Sequence, residues 1–180
     1  VTPVTIDIGS DVMSTVLKEV EERTQNGSVQ WRKKRHSDYP TNDIEVTPEQ
    51  LPRTAKVVNT IIHTFSSAYE SHFTGVDPSC INLNEAFVAR YSPERQAALE
   101  LHEDDADLSF VCALNDDFKG GGTHFVDLDL SFHPRAGQCI LFAGGMQPHM
   151  GLPTTQGTRY ILTGFLNYGD TLDDPSFRDI

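Results

Sequence analysis

Two histidines, one aspartate and one arginine are the residues of this sequence with the most specific chemical potential. His102 and Asp104 are separated by one residue, His149 follows 45 residues after the aspartate, and Arg159 follows ten residues later. Two imidazoles and one carboxylate bind ferrous iron on one face and leave its other positions for a co-substrate and oxygen. On an extended strand the side chains of His102 and Asp104 point to the same side, so we expect them to chelate one ion together.

Arg159 meets a second requirement of such a centre. A 2-oxo diacid that chelates iron through its oxo-acid end leaves a far carboxylate inside the protein, and a guanidinium neutralises it best through two parallel hydrogen bonds. A metal-dependent hydrolase would also use two histidines and a carboxylate, commonly around zinc, but would not need Arg159 at this place. A third interpretation is a non-catalytic β-barrel binding module with an accidental His–Asp–His pattern. The residues alone leave both alternatives open.

Composition narrows the class of partner. The 180 residues include 26 Asp and Glu against 14 Lys and Arg, and the formal charge of -12 repels phosphate backbones, so we expect no nucleic-acid partner. The length suits a single domain over residues 1–180. No stretch approaches the roughly 20 apolar residues that span a bilayer, so no membrane span is expected. No signal-peptide pattern is visible at the start of the sequence, and neither a compartment nor an oligomeric state is indicated.

The basic run Arg32–His36 and the isolated His124 are assigned no role. The sequence has three cysteines, Cys80, Cys112 and Cys139, without C-x-x-C spacing, and an odd number cannot form a closed disulfide framework. Cys112 and Cys139 lie in apolar segments. We therefore expect these two residues to pack as small hydrophobic side chains.

Two amphipathic helices are predicted in the first half of the chain. Ser10 can cap a helix that ends at Asn26–Gly27, and apolar residues recur between them at helical spacing. A second helix is predicted roughly from Leu51 to His72, after the start signal Thr47-Pro48-Glu49. We expect both helices to pack against a sheet.

From Ile81 onward, the sequence consists of short β-type segments divided by turn residues. They are residues 81–91, 108–115, 123–130, 138–143 and 158–168. Their even spacing is typical of an antiparallel sandwich or barrel. Gly120–Gly122 and Gly144–Gly145 indicate sharp turns with positive φ or a close backbone approach.

The candidate site residues fall at the edges of these segments. His149 lies between two predicted strands, and Arg159 shares one face of the last strand with Ile161 and Thr163. We take that face to be the inside of the sheet structure. The pattern predicts a small barrel with the site at its mouth.

Five stretches of the sequence carry a family pattern. They are Pro40–Ile44, Phe87–Pro93, His102–Asn115, Gly120–Gly122 and Gly151–Ile161. Over a core of about residues 39–168, the sequence resembles the iron- and 2-oxoglutarate-dependent dioxygenases of the prolyl 4-hydroxylase-like superfamily. Within them it is most similar to the catalytic domain of procollagen lysyl hydroxylases. The resemblance implies a mainly β fold with flanking α-helices, namely a double-stranded β-helix or jelly-roll, cupin-like barrel.

The resemblance also implies a set of ligands and reactants. Iron as Fe(2+) would be held by His102, Asp104 and His149, and 2-oxoglutarate by Arg159, with O2 as oxidant and ascorbate as reductant. In related enzymes, a tyrosine before the first histidine and polar residues on the strand after it contact the co-substrate. The residues at such places in this sequence are Tyr91, Ser109 and Asn115.

The activity implied by the resemblance is hydroxylation of an unactivated C–H bond, coupled to conversion of 2-oxoglutarate to succinate and carbon dioxide. Asp104 favours hydroxylation over halogenation, because related halogenases replace the carboxylate ligand with a small residue. The implied substrate is a lysyl residue in a peptide or protein, whose ammonium group Glu103, Asp105 and Asp107 can attract. Glu103 stands where lysyl hydroxylases commonly have a second histidine. A free amino acid or another small molecule is the alternative substrate.

Overall fold

Two facing antiparallel sheets form the framework of the protein in a computed structural model, which describes residues 2–33, 36–72 and 80–169. The helices are α1 (Ser10–Gln25) and α2 (Pro52–His72). The strands are β1 (Val4–Asp7), β2 (Asp43–Glu45), β3 (Ile81–Tyr91), β4 (Leu99–His102), β5 (Leu108–Ala113), β6 (Lys119–Gly120), β7 (Thr123–Phe125), β8 (Leu130–Phe132), β9 (Gln138–Phe142), β10 (His149–Gly151), β11 (Thr154–Gln156) and β12 (Arg159–Tyr168).

The larger sheet has the strand order β1-β9-β5-β12-β3-β2, and the smaller sheet has the order β4-β10-β7-β8. Strands β11 and β6 form a separate pair. Strand β12 lies inside the larger sheet, where Ile161 pairs with Ala89 of β3 on one side and with Ala113 of β5 on the other. This arrangement confirms the predicted mainly β, double-stranded β-helix fold, and it fixes Arg159 at the start of a strand that has a neighbour on each side.

Side chains of the larger sheet alternate between two apolar cores, because successive residues of a strand point to opposite faces. Leu162 packs with the residues of the two helices, whereas Ile161 packs on the face turned toward the smaller sheet. The predicted apolar side of α1 is buried through Met13, Val16 and Val20, as expected from their helical spacing. The helices therefore cover one face of the larger sheet and leave the other face to form the site.

Glu19 joins the two helices. Its carboxylate accepts hydrogen bonds from the backbone N–H groups of Arg53 at 2.9 Å and Thr54 at 2.7 Å, and from the Thr54 hydroxyl at 2.7 Å. It thereby satisfies donors in the first turn of α2, where a negative charge is also favoured by the helix dipole. No helix in the described part of the chain is both long and apolar enough to cross a membrane.

The helix boundaries agree with the predicted ones to within one residue, with one difference at the start of α1. Ser10 is the first helical residue and its side chain does not cap the helix, because Gly9 occupies the cap position with φ 99°. The prediction also missed several strands of two to four residues, among them β1, β4 and β10, and it merged β7 and the start of β8 into one segment, residues 123–130. Segments this short contain too few residues to show an alternating pattern.

The expectation that Cys112 and Cys139 remain small hydrophobic thiols was wrong. The two residues are completely buried as predicted, but they form a disulfide. Strands β5 and β9 run antiparallel, and their register places Cys112 directly opposite Cys139 on the face covered by the helices. The sequence separation of 27 residues gives no indication of this register, which is set by pairing across the sheet.

Candidate metal centre

His102 and His149 are brought together by strand pairing. His102 ends β4 and His149 begins β10, and the two are direct partners in the smaller sheet. The Nδ1–H of His102 donates to the Glu100 carbonyl at 2.7 Å, and that of His149 donates to the Gln147 carbonyl at 2.9 Å. In each ring, Nδ1 is thus hydrogen-bonded to the backbone carbonyl of the residue two positions earlier. Each Nε2 atom therefore lies beside the Asp104 carboxylate and is a candidate metal ligand.

Asp104 reaches the same point from a loop and not from a strand. Strand β4 ends at His102, so the expected parity of two strand residues does not explain the arrangement. Two backbone hydrogen bonds hold the loop instead, from the Asp104 N–H to the Gly144 carbonyl at 3.1 Å and from the Gly145 N–H to the Ala106 carbonyl at 2.8 Å. The diglycine turn after β9 therefore positions the carboxylate, and the predicted close backbone approach is present there.

The three side chains form a compact donor set. Asp104 Oδ1 lies 3.4 Å from His102 Nε2, and Asp104 Oδ2 lies 3.6 Å from His149 Nε2. One ligand atom from each residue can be chosen so that all three lie within 4.8 Å of one another. Their side chains are only 6–8% exposed. Two imidazole nitrogens and one carboxylate around a shared point are a donor set that fits Fe(II).

The pKa values of these groups reflect burial and mutual contact. Burial alone would raise the pKa of Asp104, but the neighbouring side chains of His102, His149 and Ser109 lower it below its ordinary value. Burial lowers the pKa of His149. Burial would lower that of His102 as well, but hydrogen bonds with Asp104 and Glu100 raise it. The carboxylate is therefore ionised, as a metal ligand must be.

Arg159 lines the same cavity as the three candidate ligands. Arg159 is 3% exposed, and this burial lowers the pKa of its guanidinium. No group in the described part of the chain forms a hydrogen bond or an ion pair with this guanidinium. The ring of Tyr91 lies beside it, with the ring centroid 5.7 Å from Arg159 Cζ, and burial raises the pKa of this phenol to about 12. The cavity thus contains a neutral phenol and a cation with unused donors.

The other predicted co-substrate contacts lie elsewhere. Ser109 is fully buried behind Asp104, where a Cβ on Gly144 would come within 2.2 Å of its hydroxyl oxygen. The Asn115 side chain holds the start of β12, donating to the Thr158 carbonyl and accepting from the Tyr160 N–H, each at 2.8 Å. Neither residue lines the cavity. His124 is hydrogen-bonded to Ser131 at 2.9 Å and is likewise outside it.

A groove of about 360 Å³ continues from the candidate metal centre toward the surface. Its wall is partly aromatic: His36 lies against Phe87, with ring centroids 4.8 Å apart, and Tyr39 lies against the candidate ligand His102, with ring centroids 4.9 Å apart. The exposed acidic residues of the groove are Asp38, Glu103 and Asp105. Asp107, by contrast, accepts a hydrogen bond from the Tyr168 N–H at 2.8 Å and does not line the groove.

Sequence reasoning missed the contribution of residues 36–41 to this groove. The sequence assigns no role to Arg32–His36 and marks Pro40–Ile44 only as part of the family pattern. Lys34 and Arg35, from the basic run, lie outside the described residues, but His36 at its end lines the groove. An aromatic residue beside an acidic one in Asp38–Tyr39 was the available signal, and it is too common to indicate a site without the fold.

Comparison with known proteins gives a consistent result. Residues 86–167 match the family model described as the 2OG-Fe(II) oxygenase superfamily. A mouse procollagen-lysine,2-oxoglutarate 5-dioxygenase 1 is 41% identical over 87 residues, which are 46% of this chain and 12% of the mouse protein. A Caenorhabditis elegans multifunctional procollagen lysine hydroxylase and glycosyltransferase is 36% identical over 103 residues, covering 54% of this chain and 14% of that protein. The chain thus corresponds to a small part of the length of these relatives.

Two solved structures share the fold over most of its length. A Pseudomonas putida prolyl-4-hydroxylase superposes with a TM-score of 0.67 at 21% identity, over 91% of each chain. A viral collagen prolyl hydroxylase from Paramecium bursaria Chlorella virus-1, solved as a complex with 2OG, gives a TM-score of 0.63 at 20% identity, over 91% of this chain and 94% of that one.

Proposed function

We propose that this chain, whose residues 86–167 match the family model of the 2OG-Fe(II) oxygenase superfamily, hydroxylates an unactivated C–H bond of a lysyl residue in a peptide or protein. Iron(II), 2-oxoglutarate and O2 are the implied cofactor and co-substrates, with ascorbate as the proposed reductant. When bound, the iron supplies the oxidising chemistry, in which 2-oxoglutarate is converted to succinate and carbon dioxide as the substrate gains oxygen. We propose His102, Asp104 and His149 as its protein ligands.

The observation that carries the proposal is the guanidinium of Arg159 in the cavity of the donor set, which has no hydrogen-bond or ion-pair partner among the described residues. A buried cation without an acceptor is costly, so its presence beside a metal site calls for an anionic ligand. The far carboxylate of 2-oxoglutarate is such a ligand, and a guanidinium binds it with two parallel hydrogen bonds. A zinc hydrolase needs no such cation, and a binding module without chemistry needs no donor set.

The surrounding residues take separate parts in the proposal. Tyr91 offers its hydroxyl to the co-substrate beside Arg159, and its raised pKa keeps it protonated. Ser109 orients the carboxylate of Asp104 from behind. Asn115 acts on the site indirectly, because its two hydrogen bonds hold the segment from which Arg159 enters the cavity.

The chemistry of the groove supports a cationic substrate. Asp38, Glu103 and Asp105 line it around an apolar aromatic wall, which suits a long aliphatic side chain that ends in an ammonium group. A prolyl residue carries no charge and gains nothing from these carboxylates. A free amino acid carries its own carboxylate, which they repel. A lysyl residue within a peptide is therefore the preferred substrate class.

The test combines reaction products with matched peptides. The protein is incubated with Fe(II), ascorbate, 2-oxoglutarate and peptides that differ only in a central lysine, norleucine or proline, and with free lysine. Mass spectrometry should find one added oxygen on the lysine peptide, with an equivalent amount of succinate. If only the proline peptide or only free lysine gains oxygen, the proposed substrate is wrong. If none of these compounds gives iron-dependent formation of succinate, the proposed activity is wrong.

Charge variants test the role of the groove. Asp38→Asn and Glu103→Gln should each raise KM for the lysine peptide by about 1.4- to 5-fold, the range expected for one exposed ion pair. Asp127→Asn makes the same change of charge at an exposed residue outside the groove and should leave KM unchanged. Equal effects of all three variants would show that only net charge matters.

A further inference from the structure

The tri-glycine turn, Gly120–Gly122, lies directly against the stem of Arg159. We propose that Gly121 is a positioning residue, which sets the place of the guanidinium and thereby the affinity of the site for the far carboxylate of the co-substrate. The inference rests on the proposed function of Arg159 and adds a residue whose role is not chemical. It concerns a turn for which the sequence indicated only an unusual backbone.

The contact leaves no room for a Cβ at this position unless a neighbouring side chain moves. A Cβ built on Gly121 would lie 2.8 Å from Arg159 Cδ and 3.5 Å from Arg159 Nε, and 2.9 Å from Cε2 of Phe118. Carbon atoms attract each other best at about 3.5–4.0 Å, so a methyl group here must displace its neighbours. The stem of Arg159 therefore occupies the space that the side chain of another residue would need.

Packing is what positions this arginine within the described residues, because none of them makes a polar contact with its guanidinium. A buried guanidinium is ordinarily held by carboxylates or carbonyls, but such partners would use the donors that the ligand requires. Arg159 has no hydrogen bond or ion pair with the described residues. Gly121 lies against its stem, and the ring of Tyr91 lies near its guanidinium, 5.7 Å from Cζ to the ring centroid. These contacts leave all five N–H donors available to a carboxylate.

The turn is anchored, so an added methyl group would move the arginine and not the turn. The Gly121 N–H donates to the Pro153 carbonyl at 2.8 Å, and Gly120 pairs with Thr154 where β6 meets β11. Arg159 Cδ belongs to a side chain with rotatable bonds, and no group in the described ranges anchors that side chain through a polar contact. Its displacement carries the guanidinium away from the place where it meets the ligand.

Backbone strain needs a separate control, because Gly121 has φ +69° and alanine there is strained regardless of its neighbours. Gly27 provides this control. It has φ +76° at the end of α1, and a Cβ built on it would meet nothing within 4 Å. Gly27→Ala therefore imposes a similar backbone conformation on alanine, far from the cavity and without a collision.

The experiment measures binding of 2-oxoglutarate to the Mn(II)-loaded protein by calorimetry, together with Mn(II) affinity, melting temperature and turnover. Gly121→Ala should weaken 2-oxoglutarate binding by about 10- to 100-fold, as expected for a binding group displaced by about 1 Å. Affinity for Mn(II) should not change, and kcat should recover at saturating 2-oxoglutarate. Gly27→Ala should lower the melting temperature without weakening 2-oxoglutarate binding.

A double variant identifies the atoms responsible. In an Arg159→Ala background the colliding stem is absent, so Gly121→Ala should cause no further loss of 2-oxoglutarate affinity and should cost less stability than in the parent protein. If Gly121→Ala fails to fold, recovery of folding in Gly121→Ala/Arg159→Ala supports the inference. Failure to recover overturns it, because the collision would then lie with Phe118 or the backbone.

The outcomes separate this inference from the function on which it rests. If Arg159→Ala binds 2-oxoglutarate normally, the proposed role of the arginine is wrong. If Arg159→Ala binds it weakly while Gly121→Ala binds as tightly as the parent protein, the role of the arginine stands and the role of Gly121 is wrong.

Discussion

Replacing Arg159 with methionine should stabilise the ligand-free protein. The two side chains are similar in length, but methionine carries no charge, and Arg159 is 3% exposed without an acceptor among the described residues. A buried polar group without a partner costs about 1–3 kcal/mol, and the low end applies because this guanidinium borders a cavity that admits water. Each kcal/mol corresponds to roughly 2–4 °C in melting temperature for a chain of this size. Arg159→Met should therefore melt a few degrees higher.

The same substitution should impair binding of the co-substrate. Without the guanidinium, the far carboxylate of 2-oxoglutarate enters the cavity unpaired, at a cost of about 2–4 kcal/mol. This free energy corresponds to a rise of about 30- to 900-fold in the dissociation constant. Melting curves with and without Mn(II) and 2-oxoglutarate measure both effects, because the ligand should raise the melting temperature of the parent protein and not that of the variant.

Arg90→Met is the matched control. This arginine is half-buried, but it lies over the ring of Trp31 at 4.1 Å and donates a hydrogen bond to Asn42. Its replacement should therefore destabilise the protein and leave 2-oxoglutarate binding unchanged. A lower melting temperature for ligand-free Arg159→Met, or an undiminished response of that variant to 2-oxoglutarate, would refute the interpretation of Arg159 as a cation that awaits its ligand.

Four further outcomes are expected. Asp104→Ala should lose Mn(II) binding and all turnover, and normal activity in this variant would reject the ligand set. Ser109→Ala should weaken Mn(II) affinity by about 10-fold or more, as for other residues that orient a metal ligand, with unchanged affinity of the loaded protein for 2-oxoglutarate. Glu19→Gln should lose about 1.5–3 kcal/mol of unfolding free energy. Burial would raise the pKa of Glu19, but hydrogen bonds from α2 lower the pKa in the folded protein below 4.5. The difference in unfolding free energy between the parent protein and Glu19→Gln should therefore be complete above pH 4.5 and shrink as the pH falls through the folded pKa. Urea unfolding at several pH values measures this difference, and an increase in acid would contradict the assignment. Thiol titration of the unfolded protein should find one thiol before reduction and three after it, since Cys112 and Cys139 are bonded.

The sequence was informative wherever a pattern is local. Helical spacing located α1 and α2 to within one residue, because their apolar sides repeat over four or more turns. Runs of β-type residues divided by turn residues located β3, β5, β9 and β12 to within two residues. Strand β10 was missed because three residues are too few to alternate, although it carries His149.

The candidate site residues were identified correctly as a group that shares one cavity, but the expected placement of Asp104 on a strand was wrong. His102, Asp104, His149 and Arg159 were selected because their types and order suit iron and a diacid. The structure brings them to one cavity, but Asp104 arrives on a loop held by Gly144. Parity along a strand could not reveal this, because the controlling hydrogen bond joins residues 40 positions apart.

Residue identity by itself determined the chemistry of this protein, since imidazole, carboxylate and guanidinium groups have the same donors and charges wherever the chain places them. It also determined the two helices and the long strands, which depend on contacts a few residues away. Only the tertiary structure decided that Cys112 meets Cys139, that Gly121 adjoins Arg159, and that Asp38 shares a groove with Glu103. Each of these contacts depends on the register of paired strands or the path of a connecting loop, and neither is recorded in the spacing of residues along the chain.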